Sequence, residues 1–426
     1  MNMRILIIGS GGRECTLAWK LAQSPQLDAL YIAPGNAGTT AYGQNLPIDV
    51  TDFQGIKEAC LNHNISLILV GPEAPLVEGI YDFFKADETL RHIQVIGPSQ
   101  EGAQLEGSKA YAKSFMSRHN IPTAGYGEYT LSTLEAGKKH IDDSDGPYVL
   151  KADGLAAGKG VLIISDADEA KQSLEEMLNG KFGTASERVV IEDFLDGVEF
   201  SVFALTNGKE YFLLPEAKDY KRIGEGDTGL NTGGMGAVSP VPFFSGNFKK
   251  KVIDDIIEPT IKGLEQENIA YHGFVFFGLI NCNGSPYVIE YNCRMGDPET
   301  EAVIPRLEND LVDLLVAVDG GQLGQINPRY SSDVATTVMM VSGGYPEAYE
   351  KGKRMNIPEH TEELLLHAGT KRDTEGHIVT NGGRVLAITA LGSDINSCVE
   401  RALEIAGKID FEKKYFRTDI GKDLVD

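Results

Sequence analysis

A glycine-rich run between two apolar segments carries the strongest chemical signal in this 426-residue sequence. It reads Lys151-Ala152-Asp153-Gly154-Leu155-Ala156-Ala157-Gly158-Lys159-Gly160. It is not a Walker A loop, because Gly154 and Gly158 are one residue too close and Gly160 stands where Ser or Thr is required. Lysine charges and the backbone N–H groups of glycines suit the oxygens of a triphosphate. The run predicts a flexible hairpin over nucleotide phosphates; a surface hairpin with two solvated lysines is the weaker alternative.

Two oxygen-bearing side chains, Glu290 and Asn292, lie two residues apart in a β-branched segment. Residues at that spacing face the same side of a strand. Mg²⁺ is suited to two such ligands, because substrate phosphates and water complete its shell. The run Cys293–Glu299 then packs Arg, Asp and Glu into a turn. Glu290 alone is more often an exposed edge residue, but beside Arg294 the metal-ligand interpretation is favoured.

A second glycine loop, Gly9–Glu14, follows the first apolar run and opens a helix, where helix N-termini bind phosphate. A dinucleotide fingerprint requires glycine where Glu14 stands, so an NAD-dependent oxidoreductase is disfavoured. The fork of Arg13 suits a sugar phosphate, although a tight turn with an exposed arginine remains open. Cys15 lies in the first turn of this helix, where the dipole favours thiolate. An inert, inward-facing thiol is the favoured alternative.

The elements that position these residues alternate along the first 100 positions. Short β-branched runs separated by helix-length segments predict a doubly wound parallel sheet, with ligand at the loops that follow its strands. These runs are Ile5–Ile8, Ala29–Ala33, Leu67–Val70 and Gln94–Ile96. After a helix at Ser108–Arg118, four segments predict a small antiparallel unit around the glycine loop: Tyr148–Ala152, Val161–Ile164, Val189–Glu192 and Glu199–Leu205.

The rest of the chain predicts further strands and helices in an α/β arrangement. The strands are Gly273–Asn281, Tyr287–Asn292, Ala335–Val341 and Arg384–Ala390, and the helices are Asp310–Asp319 and Asn396–Lys408. We assign an N-terminal substrate domain to 1–102, a central domain to 103–122 and 196–325, a lid subdomain to 123–195 and a C-terminal domain to 326–426.

Composition excludes several classes of function. With 39 basic and 62 acidic residues, the formal charge is −23, which opposes a nucleic-acid partner held through phosphates. The five cysteines show no C-x-x-C spacing, which argues against disulfides and zinc and for a reducing cytosol. The apolar start breaks at Gly9, too early for a signal-peptide core, and no apolar run approaches the ~20 residues that span a bilayer, so we expect neither a signal peptide nor a membrane span. We expect a cytoplasmic protein without a membrane partner.

Over essentially its whole length the sequence resembles the phosphoribosylamine–glycine ligases, also called glycinamide ribonucleotide synthetases, of the ATP-grasp superfamily. The stretches that carry the resemblance are Gly11–Glu14, Ala33–Gly38, Val70–Val77, Gln104–Lys109, Lys151–Gly160, Asn231–Ala237, Asn292–Glu299 and Thr380–Val385. The resemblance implies an ATP-grasp fold of the α/β class. It implies a ligase of de novo purine biosynthesis that joins glycine to 5-phosphoribosylamine and cleaves ATP to ADP and phosphate.

The resemblance also implies ATP and Mg²⁺ as cofactors, with Mn²⁺ as a substitute, and we expect a monomer. The implied ATP contacts are Lys109, Lys151, Gly158, Lys159, Gly160, Glu192, Phe194, Leu195 and Glu199, and the implied metal ligands are Glu290 and Asn292. The implied contacts to glycine and phosphoribosylamine are Gly11, Gly12, Arg13, Gly35, Asn36, Pro72, Glu73, Asp219, Lys221, Arg294 and Gly296. Arg294, Lys151 and Asp297 are the expected catalytic residues.

The expected mechanism has two steps. The glycine carboxylate attacks the γ-phosphate to give glycyl phosphate, and the amine then displaces phosphate; no protein nucleophile is required. The sequence departs from the usual family pattern at Cys15, Thr16, Tyr220, Met295 and Glu301, which stand for His, Ala, His, Phe and Gln. Three alternatives remain: another ATP-grasp carboxylate–amine ligase, a biotin-carboxylase-like enzyme, and a non-catalytic nucleotide-binding protein.

Overall fold

The structure is a computed structural model that describes residues 3–156 and 160–425. Its largest sheet begins with five parallel strands. The strands are β1 (Met3–Gly9), β2 (Leu27–Pro34), β3 (Gln44–Asn45), β4 (Leu67–Val70) and β5 (Gln94–Pro98), in the spatial order β3-β2-β1-β4-β5. The connecting helices are α1 (Gly12–Leu21), α2 (Phe53–His63), α3 (Glu73–Val77) and α4 (Ile80–Ala86). All four strands predicted here are present. Ile5–Ile8 are fully buried, because helices cover both faces of a parallel sheet.

A separate four-stranded antiparallel sheet surrounds the glycine loop. Helices α5 (Gln104–Gly107) and α6 (Lys109–Arg118) precede it. Its elements are β6 (Tyr126–Thr130), α7 (Leu134–Asp143), β7 (Tyr148–Ala152), β8 (Val161–Ile164), α8 (Ala167–Glu176) and β9 (Arg188–Asp193), with strand order β6-β9-β7-β8. The sequence analysis missed β6, whose residues are all partly exposed or exposed. It was wrong to place Glu199–Leu205 in this sheet.

That segment belongs to the central part of the chain and to the largest sheet. The strands here are β10 (Val198–Thr206), β11 (Tyr211–Leu213), β12 (Lys218–Asp219), β13 (Arg222–Gly224), β14 (Thr228–Asn231), β15 (Gly236–Ser239), β16 (Tyr271–Cys282) and β17 (Ser285–Asn292). The helices are α9 (Gly246–Val252), α10 (Glu258–Gln266), α11 (Glu299–Arg306) and α12 (Leu311–Gly320). β10 pairs with β16 over nine residue pairs, and β16 also pairs with β5. One nine-stranded sheet therefore runs from β3 to β11.

The last part of the chain completes a five-stranded sheet. The elements of this part of the chain are β18 (Val334–Val341), β19 (Leu364–His367), β20 (Thr370–Arg372), β21 (Ile378–Thr380), β22 (Arg384–Gly392) and α13 (Ile395–Lys408). β20 and β21 pair with each other in a separate two-stranded sheet. The order β12-β15-β18-β22-β19 shows that two strands come from the central part of the chain. This sheet therefore crosses the boundary expected at 325–326. Within the described residues, no helix combines the length and apolar character needed to cross a membrane.

Candidate active site

The loops that follow β1 and β2 meet at the carboxyl edge of the largest sheet. The side-chain amide of Asn36 donates to the carbonyl oxygens of Ser10 at 2.9 Å, Gly11 at 3.3 Å and His367 at 2.7 Å. Gly35 has φ +70°, and a Cβ there would collide with the Asn45 side chain. One buried amide thus fixes two loops of the parallel sheet and the end of β19.

Arg13 is held rigidly inside this junction. Its side chain is buried, donates from Nε to Glu14 Oε1 at 2.6 Å and donates from Nη1 to the carbonyl oxygen of Met295 at 3.0 Å. Its backbone N–H donates to Asp297 Oδ2 at 3.3 Å. The alternative of an exposed arginine on a tight turn is therefore wrong. Glu14, which excludes the dinucleotide fingerprint, also accepts from the Gly11 N–H at 2.6 Å.

Arg294 binds three groups from different elements. Its Nη2 donates to Glu106 Oε1 at 2.7 Å and to Asn292 Oδ1 at 3.1 Å, and its Nε lies 3.6 Å from Glu73 Oε2. Burial would raise the pKa of Glu73, but Arg294 and Arg13 outweigh it and lower that pKa. Pro72 is the N-cap of the short helix that begins at Glu73. The structure therefore brings Arg13, Glu73, Arg294 and Asp297 together, as the sequence predicts.

Glu106 is a site residue that the sequence analysis did not single out. It is 8% exposed, pairs with Arg294 and accepts from the Cys293 N–H at 2.7 Å. Burial raises its pKa, although Arg294 acts against the shift. A buried carboxylate needs such partners, and it fixes the turn that carries Arg294. The signal was its place in the run Gln104–Lys109.

A buried ion-pair network lies where the four-stranded sheet joins the central part. Glu192 forms two ion pairs: Lys151 Nζ lies 2.9 Å from its Oε1, and Lys113 Nζ lies 2.9 Å from its Oε2. Lys113 also donates to Thr123 Oγ1 at 2.7 Å, and that hydroxyl donates to the Val288 carbonyl oxygen at 2.7 Å. Sequence reasoning missed Lys113, because a lysine inside a helix has no local mark of burial. Its burial lowers its pKa to about 8, against the opposing charge of Glu192.

Lys109 stands at the N-terminus of α6, beside the end of β7. The Asp153 carboxylate accepts from Ser108 Oγ at 2.9 Å and from the Ala110 N–H at 2.8 Å. Burial lowers the pKa of Lys109, and the neighbouring Lys151 adds to that shift while Glu290 opposes it. Lys109 and Lys151, both expected at the phosphates, therefore lie in one electrostatic environment. Gly158 and Lys159 lie outside the described residues; the Gly160 carbonyl oxygen accepts from the Ala152 N–H at 2.8 Å.

A small cleft between β10, β12 and β17 is lined in part by charged side chains. Its lining includes Glu199, Asp219, Lys221, Glu290 and Leu279. Lys221 Nζ lies 2.7 Å from Glu199 Oε2. Burial raises the pKa of Asp219, and Glu199 raises it further, whereas Lys221 lowers it. Burial alone would lower the pKa of Lys221, but the charges of Asp219 and Glu199 raise it well above its usual value. Phe194 and Leu195 lie between β9 and β10, and the Phe194 side chain is exposed.

Glu290 and Asn292 flank the buried Tyr291 on β17, so both face away from the core. Their side-chain oxygens are of the type that Mg²⁺ prefers; in this structure Asn292 Oδ1 accepts from Arg294 Nη2 at 3.1 Å. Among the described residues, no group of three or more His, Cys, Asp and Glu side chains is placed to hold a metal ion. A two-oxygen site that substrate phosphates complete is the arrangement that these residues fit.

Two departures from the usual family pattern face away from the cleft. Tyr220 is 2% exposed and donates to Asp423 Oδ1 at 2.6 Å, so it joins β12 to the end of the chain. Cys15 is fully buried, and burial raises its pKa to about 12. A reactive thiolate at Cys15 is therefore contradicted, because lost hydration outweighs the helix dipole.

Gly296, a predicted substrate contact, packs against the Glu299 carboxylate, and a Cβ at this position would collide with that carboxylate.

Three domain models of one family match this chain. They are described as the N domain of phosphoribosylglycinamide synthetase at residues 3–106, its ATP-grasp (A) domain at 107–300 and its C domain at 335–423. The chain belongs to the phosphoribosylglycinamide synthetase family. A phosphoribosylamine–glycine ligase of Vibrio cholerae is 44% identical over 98% of both chains, and one of Chlorobaculum tepidum is 44% identical over 98% of this chain and 99% of its own.

Solved structures agree with this family assignment. The phosphoribosylamine–glycine ligase of Thermotoga maritima has a TM-score of 0.85 at 37% identity, over 98% of this chain and 100% of that one. A biotin carboxylase domain from Hydrogenobacter thermophilus, solved with MgADP, ADP and bicarbonate, has a TM-score of 0.73 at 16% identity and covers 97% of this chain and 92% of its own. The second likeness shows the fold alone. The expected α/β ATP-grasp fold of the synthetase family is confirmed.

Proposed function

We propose that this synthetase-family chain ligates glycine to 5-phosphoribosylamine, with ATP cleaved to ADP and phosphate, in de novo purine biosynthesis. The observation that carries the proposal is the full-length match to ligases of that name at 44% identity. Charged residues of the types that such a reaction requires support the proposal: Lys109 and Lys151 for phosphates, Arg13 and Arg294 for the other substrates, and the side-chain oxygens of Glu290 and Asn292 for a metal ion. A monomer in the cytoplasm is the proposed working form.

The lysine side is the proposed ATP site. Lys109 and Lys151 are the proposed contacts to the phosphates, with Gly158, Lys159 and Gly160 closing from the glycine loop. Glu192, Phe194 and Leu195 would contact adenine, and Glu199 would hold the ribose. Residues 123–195 act as a lid in this proposal, because the four-stranded sheet has its own core around Leu150, Leu174 and Ile191.

Glu290 and Asn292 are the proposed ligands of Mg²⁺, and Mn²⁺ takes the same oxygen donors. When bound, the ion neutralises charge on phosphate oxygens. The chain's own contribution is position: β17 fixes both donors on one face, and Lys151 donates to the Ile289 carbonyl oxygen at 3.3 Å. That hydrogen bond places a lysine charge next to the strand that carries the ligands.

The arginine side is the proposed site for glycine and phosphoribosylamine. Arg294 would bind the glycine carboxylate, since its guanidinium fork matches a carboxylate. Gly11, Gly12 and Arg13 would face the sugar phosphate. The other proposed contacts are Gly35, Asn36, Pro72, Glu73, Asp219, Lys221 and Gly296. Asp297 is assigned a catalytic role in which it orients the Gly11–Arg13 loop against the reacting groups.

The chemistry then needs alignment and charge neutralisation more than a protein nucleophile. The glycine carboxylate attacks the γ-phosphorus in line, the bond to the β-phosphate breaks and ADP leaves, while Lys151 and Arg294 stabilise the charge that develops. The amine of phosphoribosylamine attacks the acyl carbon of glycyl phosphate, phosphate leaves, and the new amide nitrogen gives up one proton. The acyl phosphate hydrolyses readily, so closure of the lid must exclude water.

Omission of one substrate at a time tests this function. ADP release must require glycine, ATP, Mg²⁺ and phosphoribosylamine generated in the cuvette, and the product must have the mass of glycinamide ribonucleotide. Turnover with bicarbonate or formate in place of glycine would indicate another ATP-grasp enzyme. Nucleotide binding without turnover under any combination would indicate a non-catalytic protein.

A further inference from the structure

Glu301 is a buried carboxyl group that the proposed reaction does not use. It lies in the first turn of α11, at 0% exposure. Among the described residues, none donates a hydrogen bond to either of its carboxyl oxygens, and the same holds for Asp297 Oδ1. An ionised carboxylate in that position would lose its hydration without compensation.

Two carboxyl groups therefore share one enclosed space. Glu301 Oε1 and Asp297 Oδ2 lie against adjacent glycines of one loop, Gly12 and Gly11, and the charge of Asp297 raises the pKa of Glu301. Asp297 has cationic partners: its Oδ1 is 3.0 Å from Arg384 Nη2, and its Oδ2 accepts from the Arg13 N–H. Glu301 has no ion pair of its own within the described residues. Neighbouring carboxyl groups that cannot both ionise place the proton on the group with the weaker cationic support.

The loop backbone is built around this pair. A Cβ at Gly12 would collide with Glu301 Oε1, and a Cβ at Gly11 would lie 3.0 Å from Asp297 Oδ2. The two carboxyl groups thus pack closely against Gly12 and Gly11, and a side chain at either position would require them to move. Of the other charged or titratable groups facing Glu301, Arg384 comes from β22, Glu299 from its own helix and Cys15 from α1.

We propose that Glu301 is a neutral carboxylic acid in the folded enzyme and that its O–H donates to Asp297, which fixes the Asp297 carboxylate against the Gly11–Arg13 loop. Glu301 is then a positioning residue for the substrate side, and it touches no reacting atom. The positioning role rests on the proposed function; the protonation does not. Burial first, and then the charge of Asp297, raise the pKa of Glu301 well above its ordinary value.

The sign of the pH effect follows from this protonation. Between the ordinary pKa of glutamate and the raised folded value, the folded protein binds a proton that the unfolded chain lacks. Its stability contribution is complete below about pH 4.3 and is lost as the pH rises towards the folded pKa. Glutamine keeps a neutral N–H donor of the same shape and has no proton to lose.

The experiment compares Glu301→Gln with the parent from pH 5.5 to 8.5 by thermal melting without substrates. We expect Glu301→Gln to melt higher, with an advantage that grows by roughly 1–2 °C per pH unit. A constant difference, or a variant that melts lower at every pH, would overturn the protonation, because an ionised and satisfied Glu301 is harmed by the loss of its charge. This test is independent of turnover, so it decides the protonation even if the proposed ligase activity fails.

The positioning role is tested by the ratio of effects on KM and kcat. Glu301→Ala should raise KM for phosphoribosylamine about tenfold while kcat and the KM for ATP change less than threefold, and Glu301→Gln should restore the parental KM. Glu301→Ala kinetics equal to the parent, or a loss that Glu301→Gln does not restore, would overturn the positioning role. Should Glu301→Ala fail to fold, Glu301→Leu replaces it, because leucine keeps a similar volume and lacks the hydrogen-bond donor: a raised KM for phosphoribosylamine that Glu301→Gln does not show supports the role, and a parental KM overturns it.

Discussion

At the scale of single residues, the candidate site consists of charged groups that share partners. Glu192 binds two lysines, Arg294 binds two carboxylates, and Asp297 accepts from Arg13 and pairs with Arg384. Removal of one member therefore leaves its partners with a second contact. Such a site can lose activity without losing its fold.

Lys151→Ala tests this separation of activity from folding. We expect turnover to fall by roughly 10²–10³-fold, the usual cost of removing one preorganised charge, while Glu192 keeps Lys113 and the melting transition stays cooperative. ADP release and thermal melting measure the two effects. Lys139→Ala is the matched control, because Lys139 lies on α7 of the same unit with its side chain 72% exposed. Near-normal turnover by folded Lys151→Ala would show that Lys151 is not at the phosphates.

Cys15 provides a second residue-scale prediction. Its pKa of about 12 and full burial keep it a thiol at neutral pH, and only a thiolate reacts rapidly. After iodoacetamide treatment at pH 7.5, mass spectrometry should show unmodified Cys15. The treated parent and the treated Cys15→Ala variant should retain the same fraction of their untreated activity. Cys282 is the internal control, because it alone of the five cysteines is partly exposed. Rapid carboxamidomethylation of Cys15 in native enzyme would contradict this prediction.

Sequence alone selected candidate residues on loops after strands, because their position and type together indicate ligand binding; their contacts with ligand stay predictions. It did not identify Lys113 or Glu106, which lie in helices and become significant only through partners 79 and 188 positions away, since those separations depend on tertiary structure. For Arg13 the sequence left two readings open, and the contact with Met295 on a distant turn decided between them.

At the scale of elements, most strands were predictable from short apolar runs bounded by Gly or Pro. Their partners were not, because pairing depends on segments far apart in the chain. β10 adjoins the lid strands in sequence yet pairs with β16, whose buried residues continue the same core. β6 was missed, because its partly exposed residues leave no apolar run.

Lys113 links α6 to β9 and, through Thr123, to β17, so its charge state should affect the joining of these elements. Its folded pKa of about 8 lies below the usual 10.4 for lysine. Between those values the unfolded chain binds a proton that the folded protein lacks, so stability rises with pH. Urea unfolding should show the parent gaining on Lys113→Met by at most about 1.4 kcal/mol per pH unit between pH 8 and 10.

The control for this measurement is Lys209→Met, which removes a lysine with a 71% exposed side chain. Its difference from the parent should stay constant over the same pH range. A constant difference for Lys113→Met as well would show that Lys113 keeps its ordinary proton affinity and that Glu192 fully compensates its burial.

At the scale of the whole molecule, the sheets divide the chain differently from its sequence. β15 pairs with β18 through four residue pairs, and Arg384 at the start of β22 donates to the Asp297 carbonyl oxygen at 2.6 Å. Val238 of β15 is fully buried in the same cluster as Val338 and Ile388. The C-terminal sheet therefore contributes both to the core and to the arrangement of the substrate side. The lid sheet pairs only within itself among the described strands.

These two arrangements predict opposite outcomes for two deletions. A chain ending at residue 330 loses β18 and β22, leaves the apolar face of β15 exposed and removes the cation beside Asp297, so it should aggregate or lack a cooperative melting transition. A chain in which a short Gly-Ser linker replaces 126–193 keeps the nine-stranded and five-stranded sheets, so it should remain soluble, melt cooperatively and lack ATP turnover. Purification yield, near-UV circular dichroism and calorimetry compare the two. If the 1–330 chain melts cooperatively and the lid deletion does not, the C-terminal sheet is an independent module and the lid is the integral part.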